Sequence, residues 1–450
     1  MPQTVLTHDE ALNRFNSQHF LAMIGGKWCV VTDNRPDDRP APVQFVPLRE
    51  FVSSYDNEVV PVDGKLENAV RWINKQSEAR RFRNGLRFDP CPTDSDRVRG
   101  QYNLFRGFKL QPDAAQPWPK IEHFLREVIA AGDPALYAWV LQWLAWLRRK
   151  PNQTCLALAL RSTAKGTGKG TFAKLVQKLI GGEHFQTVHN GEHLTGKFNG
   201  CLENTLLAFV DEATWSGDKR AGSILKAMIT EPYLTVESKY QNSKTVPNFV
   251  HILIASNAKW AVLMEIGDRR YVICEVSESF EQNHEYFGAL RAEIEAGGAA
   301  GLLAHLMTLD LPEVMRKPVS YQSDHGAIRQ LVQSLAPSEK WLYGCLKEGR
   351  TLASRDDLGW IEEVGRNDLY LDHLGEAQIT SGHGFQLGRE EFARLMEDVM
   401  GAKLVRSWAS NGDHRPYVFR MPTLDAARTA AALYWKQPQM FAGLDDPLLH

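Results

Sequence analysis

No stretch of this sequence approaches the ~18 uncharged apolar residues that a membrane-spanning helix needs. The opening MPQTVLTHDE lacks the basic-then-apolar pattern of an export signal. No membrane partner is therefore expected, and the expected location is the cytoplasm. The six cysteines (Cys29, Cys91, Cys155, Cys201, Cys274, Cys345) are scattered singly, and no two stand at C-x-x-C spacing. That excludes a zinc ribbon and a disulfide framework and leaves isolated reduced thiols. Strong charge of either sign is also missing: the net charge is -2 and the pI about 6.7. A protein that coats duplex DNA would be far more basic, so any nucleic-acid contact must be local, in a pore or on one domain face. Internal repeats and low-complexity tracts are absent. With 43% hydrophobic and 24% charged residues, long disorder is not expected either.

What is present is a chain of 450 residues, room for roughly two to four domains. Residues 1–115 mix short strand-like runs such as WCVVTD at 28–33 with turn signals such as RPDDRPAPV at 35–43. From Ile121 the apolar residues Phe124, Leu125, Val128 and Ile129 follow helical spacing. Gly132-Asp133-Pro134 breaks that helix; Asp133 can cap the next one with Pro134 at its first position. This second helix, 134–148, carries Trp139, Trp143 and Trp146, which we read as core packing rather than base stacking. TCLALAL at 154–160, LLAFV at 206–210 and FVHILIAS at 249–256 read as buried parallel strands. Strands alternating with helices predict a three-layer α/β domain.

The first of these strands runs into Ser162-Thr163-Ala164-Lys165-Gly166-Thr167-Gly168-Lys169-Gly170-Thr171, and a helix follows. This is the context that makes a phosphate-binding loop credible. Gly166 and Gly168 let backbone N–H groups turn inward around phosphate oxygens, and the helix N-terminus adds its dipole. Lys169 would neutralise the β- and γ-phosphates of ATP. Two positions depart from G-x-x-x-x-G-K-[ST]: the first glycine is Thr163, and Gly170 follows the lysine, so the Mg²⁺ hydroxyl would come from Thr171. The second strand ends in Asp211-Glu212. Asp211 would hold Mg²⁺ through water and Glu212 would polarise the attacking water. A kinase, which activates a substrate oxygen, needs no such glutamate. The third strand ends in Ser256-Asn257, where Asn257 would orient the same water. Gly267-Asp268-Arg269-Arg270 then offers an arginine for the γ-phosphate of a neighbouring subunit.

Between the second and third strands, LTVESKYQNSKTVPNFV at 234–250 carries a hairpin signal. Lys239, Tyr240 and Lys244 around its tip would grip a single-stranded backbone by charge and stacking.

The ordered set GTGKGT, LLAFVDEA, basic hairpin, LIASN, GDRRY resembles the superfamily 3 helicases, hexameric AAA+ motors of viruses, phages and plasmids. It looks most like the phage and plasmid primase-helicases related to the poxvirus primase-helicase. LRFDP at 86–90, YNLFRGFKLQP at 102–112, GKFNGCLEN at 196–204, KWLYGCLKEG and RPYVFRMP extend the similarity over residues 80–435. The resemblance implies an AAA+ P-loop core at 151–311, after an N-terminal α+β domain (1–115) and a helical segment (116–150). It further implies a linker (312–337), a winged-helix-like domain (338–436) and a tail (437–450). It implies an ATP- and Mg²⁺-dependent DNA helicase acting on single-stranded and forked DNA in a bacterial host cytoplasm, with a primase or polymerase as partner. Lys169, Thr171, Asp211, Glu212, Asn257 and Arg269 or Arg270 would then carry catalysis, and Lys239, Tyr240 and Lys244 would touch DNA. The N-terminal ~115 residues are too short for a primase-polymerase domain, so priming is not carried over. An ATP-switched initiator or loader that binds origin DNA is the alternative, and a small-molecule kinase a third reading.

Overall fold

The computed structural model describes residues 3–90, 100–189, 199–211, 219–237, 243–257, 270–313, 315, 328, 331–332, 334–354, 359–381, 387–407, 416–438 and 440–441.

The N-terminal unit is α+β. A four-stranded sheet of order β4-β3-β2-β7 forms from β2 (His19–Ile24), β3 (Lys27–Thr32), β4 (Gln44–Pro47) and β7 (Arg81–Phe82). A second sheet pairs β1 (Thr4–Val5), β5 (Glu58–Val62) and β6 (Lys65–Asn68). Helices α1 (His8–Gln18), α2 (Leu48–Ser54) and α3 (Ala69–Ile73) cover them. A reciprocal capping box between Thr7 and Glu10 starts α1. The following pair β8 (Leu86–Arg87) and β9 (Tyr102–Asn103) leads out of this unit. Phe88, Leu104 and Phe105 next to it already lie in the central core. The Pro-rich turn is tied to the same segment: Arg35 donates to the Leu104 carbonyl at 3.0 Å, and Arg106 donates back to the Arg35 and Pro36 carbonyls.

Helix α4 (Pro119–His123) passes at once into a π-helical turn, Phe124–Ile129, and α5 (Pro134–Arg149) follows behind the Asp133 cap. Trp139, Trp143 and Trp146 are at most 2% exposed, the packing role expected of them. The indole N–H groups of Trp143 and Trp146 donate to the carbonyls of Leu156 and Gln153, so these rings are buried without an orphaned donor.

The central sheet is wholly parallel, of order β11-β12-β15-β10-β16. Its strands are β10 (Ala157–Arg161), β11 (Phe185–Val188), β12 (Leu207–Asp211), β15 (His251–Ser256) and β16 (Tyr271–Glu275). Period-two alternation splits each strand between two cores. Leu158, Leu160, Phe209 and Leu253 pack with α5 and with α6 (Lys169–Ile180) on one face. Ala157, Ala159, Val210 and Ile254 pack with Leu225, Met228 and Ile229 of α7 (Lys219–Thr230) on the other. This gives three layers, as expected from the alternation of elements. The hairpin is present too: β13 (Tyr233–Val236) pairs antiparallel with β14 (Lys244–Pro247).

After α8 (His284–Glu293), a kink at Gly297 and α9 (Ala299–Thr308), a separate core forms. It packs α10 (Pro337–Glu348), α11 (Arg366–Ser381), α12 (Arg389–Met400) and α13 (Leu424–Tyr434) on an antiparallel sheet. That sheet has the order β17 (Glu363–Gly365), β19 (Tyr417–Arg420), β18 (Lys403–Arg406). Among the described residues, no helix is long and apolar enough to cross a membrane.

Candidate nucleotide site

The loop after β10 turns back over its own strand and enters α6 through Gly168, which holds φ +97°. No L side chain fits there: an added Cβ would stand 2.7 Å from the Phe287 ring and 2.8 Å from Phe124. Gly166, at φ +76°, lies against Gln282 in the same way. The two glycines thus do more than free the backbone. They let two distant segments close on the loop.

The segment that carries Gln282 and Phe287 forms a strap. Residues 276–291 leave β16 and wrap the loop from its start to its helix. The Glu278 carboxylate accepts from the Thr163 and Ala164 N–H groups and from the Thr163 hydroxyl, at 2.6–3.0 Å. These bonds, the Thr163 hydroxyl's first, hold the carboxyl below its ordinary range. Thr163, the departure from the usual first glycine, is therefore a tether point. The Gln282 N–H donates to the Gly166 carbonyl at 3.1 Å, and Phe287 of α8 closes on Gly168. The π-turn supports the strap from below, where Val128 O accepts from Ser277 N at 2.8 Å. Val128 lies in the last turn of that helix, where carbonyls have no intrahelical partner, and the strap supplies one.

A cavity of about 450 Å³ opens on the loop. Lys165, Gly166, Thr167, Gly168, Lys169, Gly170 and Thr171 line it together with Asp211 and Asn257. Strand order explains the gathering. β15 lies between β10 and β12, with Asp211 opposite Ala255 and Arg161 opposite Ser256, so all three strands deliver their C-terminal residues to one edge. The Lys169 ammonium, 8% exposed, bridges Ser162 Oγ and Asn257 Oδ1 at 2.5 Å each.

Arg270 sits elsewhere. It precedes β16, whose Tyr271 pairs with Ala157 at the start of β10, so the length of the strand separates it from the loop. Arg270 therefore stands at the opposite end of the sheet from the glycine loop of its own chain. Lys244, at the loop end of the hairpin ladder opposite Val236, is held by Glu203 at 2.6 Å. Glu212, Arg269, Lys239 and Tyr240 lie outside the described residues.

The sequence reading missed five lining residues: Lys174, Gln282, His284, Phe287 and Arg291. The last three fall at i, i+3 and i+7 on α8, one helical face, and that stripe was the available signal. Nothing in it points to a nucleotide until the strap brings α8 to the loop.

Comparison with known proteins fits this architecture. A family of unknown function (DUF5906) matches residues 160–270, the span from loop to arginine pair. The chain is 24% identical over 290 residues to the DNA primase-polymerase of Nitratiruptor phage NrS-1, a match covering 62% of this chain and 38% of that protein. It thus spans well under half of the relative's length. The A form apo structure of the NrS-1 C-terminal region superposes with a TM-score of 0.58 at 17% identity. That superposition covers 92% of this chain and 98% of the other. An apo structure of NrS-1 residues 305–718 gives 0.55, also at 17% identity, over 91% and 98%. The chain is related to that phage protein and shares the fold of its C-terminal region.

Proposed function

We propose that this chain is an ATP-hydrolysing, ring-forming DNA motor of the AAA+, superfamily 3 kind that serves replication of a phage or mobile element in its bacterial host. The observation that carries the reading is one cavity in which the phosphate loop, Asp211 and Asn257 meet at a single sheet edge. The strand between the loop strand and the Asp211 strand supports it, because Asn257 then stands where it can orient a water against a γ-phosphate.

In this reading ATP lies along Gly166–Thr171 with Lys169 on its terminal phosphates. The Lys169–Asn257 contact shows how near the two groups stand, and phosphate would part them. Thr171 and Asp211 line the same cavity and fit a hard, oxygen-seeking ion. They would hold Mg²⁺, which neutralises phosphate charge. Glu212 would activate water. Arg270 or Arg269 would serve the adjoining subunit's site, which makes a ring, with six subunits as the working number. Lys239, Tyr240 and Lys244 would grip one strand in the pore. The C-terminal helices and antiparallel sheet support a winged-helix-like reading.

ATPase and fork-unwinding assays on Lys169→Ala and Glu212→Gln test this. Loss of both activities in both variants is expected, and unaffected unwinding would remove the assignment. The initiator reading rests on the separate C-terminal core. It wins if Lys239→Ala and Lys244→Ala spare unwinding while loss of residues 338–450 abolishes origin binding.

A further inference from the structure

The C-terminal unit carries a row of arginines and tyrosines that the nucleotide site does not use. The hairpin of β18 and β19 sets its centre. Arg406 stands opposite Tyr417 in the last pair of that ladder, and the Arg406 Nε–H donates to Tyr417 Oη at 3.3 Å. Just beyond, the Ser407 N–H donates to the Pro416 carbonyl, which holds the pair in register. Alternation places Arg406 and Tyr417 on the same face as Leu404 and Phe419. Phe419 is buried in the core, but Tyr417 has run past its edge and is 43% exposed. There α11 begins. β17 pairs with β19 and passes directly into Arg366, whose guanidinium carbon lies 6.0 Å from the Tyr417 ring centre. That of Arg406 lies 5.3 Å from the same ring. Tyr370 follows Arg366 by one helical turn on the same side of α11. Its ring carries the Arg389 guanidinium of α12 at 5.4 Å.

Two helices and a hairpin thus supply one row: Arg389, Tyr370, Arg366, Tyr417, Arg406. Arg389 and Arg406 are exposed and Arg366 is half-buried. Among the described residues none of these three arginines is in an ion pair. Arg420, on the other face of the sheet, faces Glu363 at 3.7 Å instead. Asp368, in the first turn of α11, lies against Gly365. Helix α12 shows the opposite charge. Its exposed residues are Arg389, Glu390, Glu391, Arg394, Glu397 and Asp398, four carboxylates against two guanidiniums. α12 is the helix that a helix-turn-helix arrangement would offer to a major groove. Two phosphate backbones line that groove and repel an acidic face.

We propose that this row binds single-stranded DNA, so that the C-terminal unit engages a strand and not a duplex groove. The inference rests on the DNA reading above for the kind of polymer. Guanidinium edges donate to phosphate oxygens, and guanidinium planes and tyrosine rings are platforms for unpaired bases. A duplex presents phosphates to the arginines but keeps its bases stacked on one another, away from Tyr417. An acidic peptide would satisfy the charges and leave the ring without a partner. Charge interleaved with exposed aromatic surface therefore favours the strand. It is a second strand contact, carried on a different core from the hairpin at 234–250.

The test is fluorescence anisotropy on the full chain with three probes of one length: an oligothymidylate, an abasic strand that keeps the phosphates and lacks the bases, and a duplex. The intact chain should bind the oligothymidylate about tenfold or more tighter than the abasic strand. Tyr417→Ala should shrink that preference several-fold, and Tyr417→Phe, which keeps the ring, should retain it. Arg406→Ala should lower the slope of log affinity against log salt by about 0.7, the share of one phosphate contact on a single strand. An unchanged preference in Tyr417→Ala overturns the proposal, as does a duplex bound more tightly than the strand. Polyglutamate bound as tightly as the oligothymidylate also overturns it, because charge alone would then suffice. So does a clear preference for oligouridylate over oligothymidylate. Should Tyr417→Ala fail to fold, the unaltered chain is photocross-linked to an oligonucleotide carrying iododeoxyuridine. The cross-link should map to the peptide that holds Tyr417, and its absence there overturns the proposal. The motor reading fails separately, on the ATPase and unwinding of Lys169→Ala, which none of these measurements uses.

Discussion

Gly168 joins two constraints in one residue: its φ of +97° excludes a side chain by backbone sterics, and Phe124 with Phe287 excludes it by packing. Gly168→Ala should cost on the order of 2 kcal/mol or more, read as a lower denaturation midpoint together with loss of ATP turnover. A fully stable variant would show that the loop can move off both rings. His184 is a second informative residue. Its ring lies between Phe88 and Phe105, at 5.6 and 4.9 Å, and burial lowers its pKa to about 3. The unfolded chain protonates this histidine near 6.5. Between those values the unfolded state binds the extra proton, so stability must fall as pH falls. The slope can approach ~1.4 kcal/mol per pH unit. Burial lowers His19 and His373 in the same sense, while the raised carboxyl of Glu183 opposes it. Urea midpoints at pH 7.5 and 5.5 should therefore drop toward acid, and His184→Leu should flatten the drop. At this scale the sequence was legible where chemistry is local. Lys169, Asp211 and Asn257 could be named because each ends or follows a strand. Glu183 and His184 could not, because their meaning lies in what covers them.

The strap is the element-level result. Residues 276–291 hold the phosphate loop at Thr163, Gly166 and Gly168, and the π-turn at Phe124–Ile129 holds the strap. Glu278→Ala should loosen the start of the loop, raising KM for ATP several-fold with a smaller effect on kcat. Arg291→Ala should weaken nucleotide binding and leave the melting midpoint nearly unchanged, because that side chain is exposed. A kcat loss with KM intact would instead place Arg291 on the reacting phosphate. Three of the five central strands, the hairpin and the two helices around Gly132 were readable in the sequence, whereas β11 and β16 were not. The π-turn was not, since Phe124, Leu125, Val128 and Ile129 also fit an ordinary helix. The strap was not readable either, because SESFEQNH carries no period and gains its role only through contacts more than a hundred residues away in sequence. Strand edges moved by a few residues: the run read from Thr154 becomes a ladder at Ala157.

Across the whole molecule, the central sheet presents two different ends. One edge gathers the loop, Asp211 and Asn257, and the opposite end carries Arg270. If Arg270 serves a neighbour, Lys169→Ala and Arg270→Ala chains should each be inactive alone. Mixed, they should regain a part of the ATPase rate through interfaces that combine one intact loop with one intact arginine. No recovery at any ratio would argue against a shared site. The parallel, layered sheet followed from the alternation of strands and helices, but its strand order and the end that Arg270 occupies needed the register of the ladders. That register has a consequence for how such a protein behaves in a cell. If Arg270 completes a neighbour's site, a dilute chain has no complete site. Its turnover per chain would climb steeply with its own concentration, and copy number alone would switch it on.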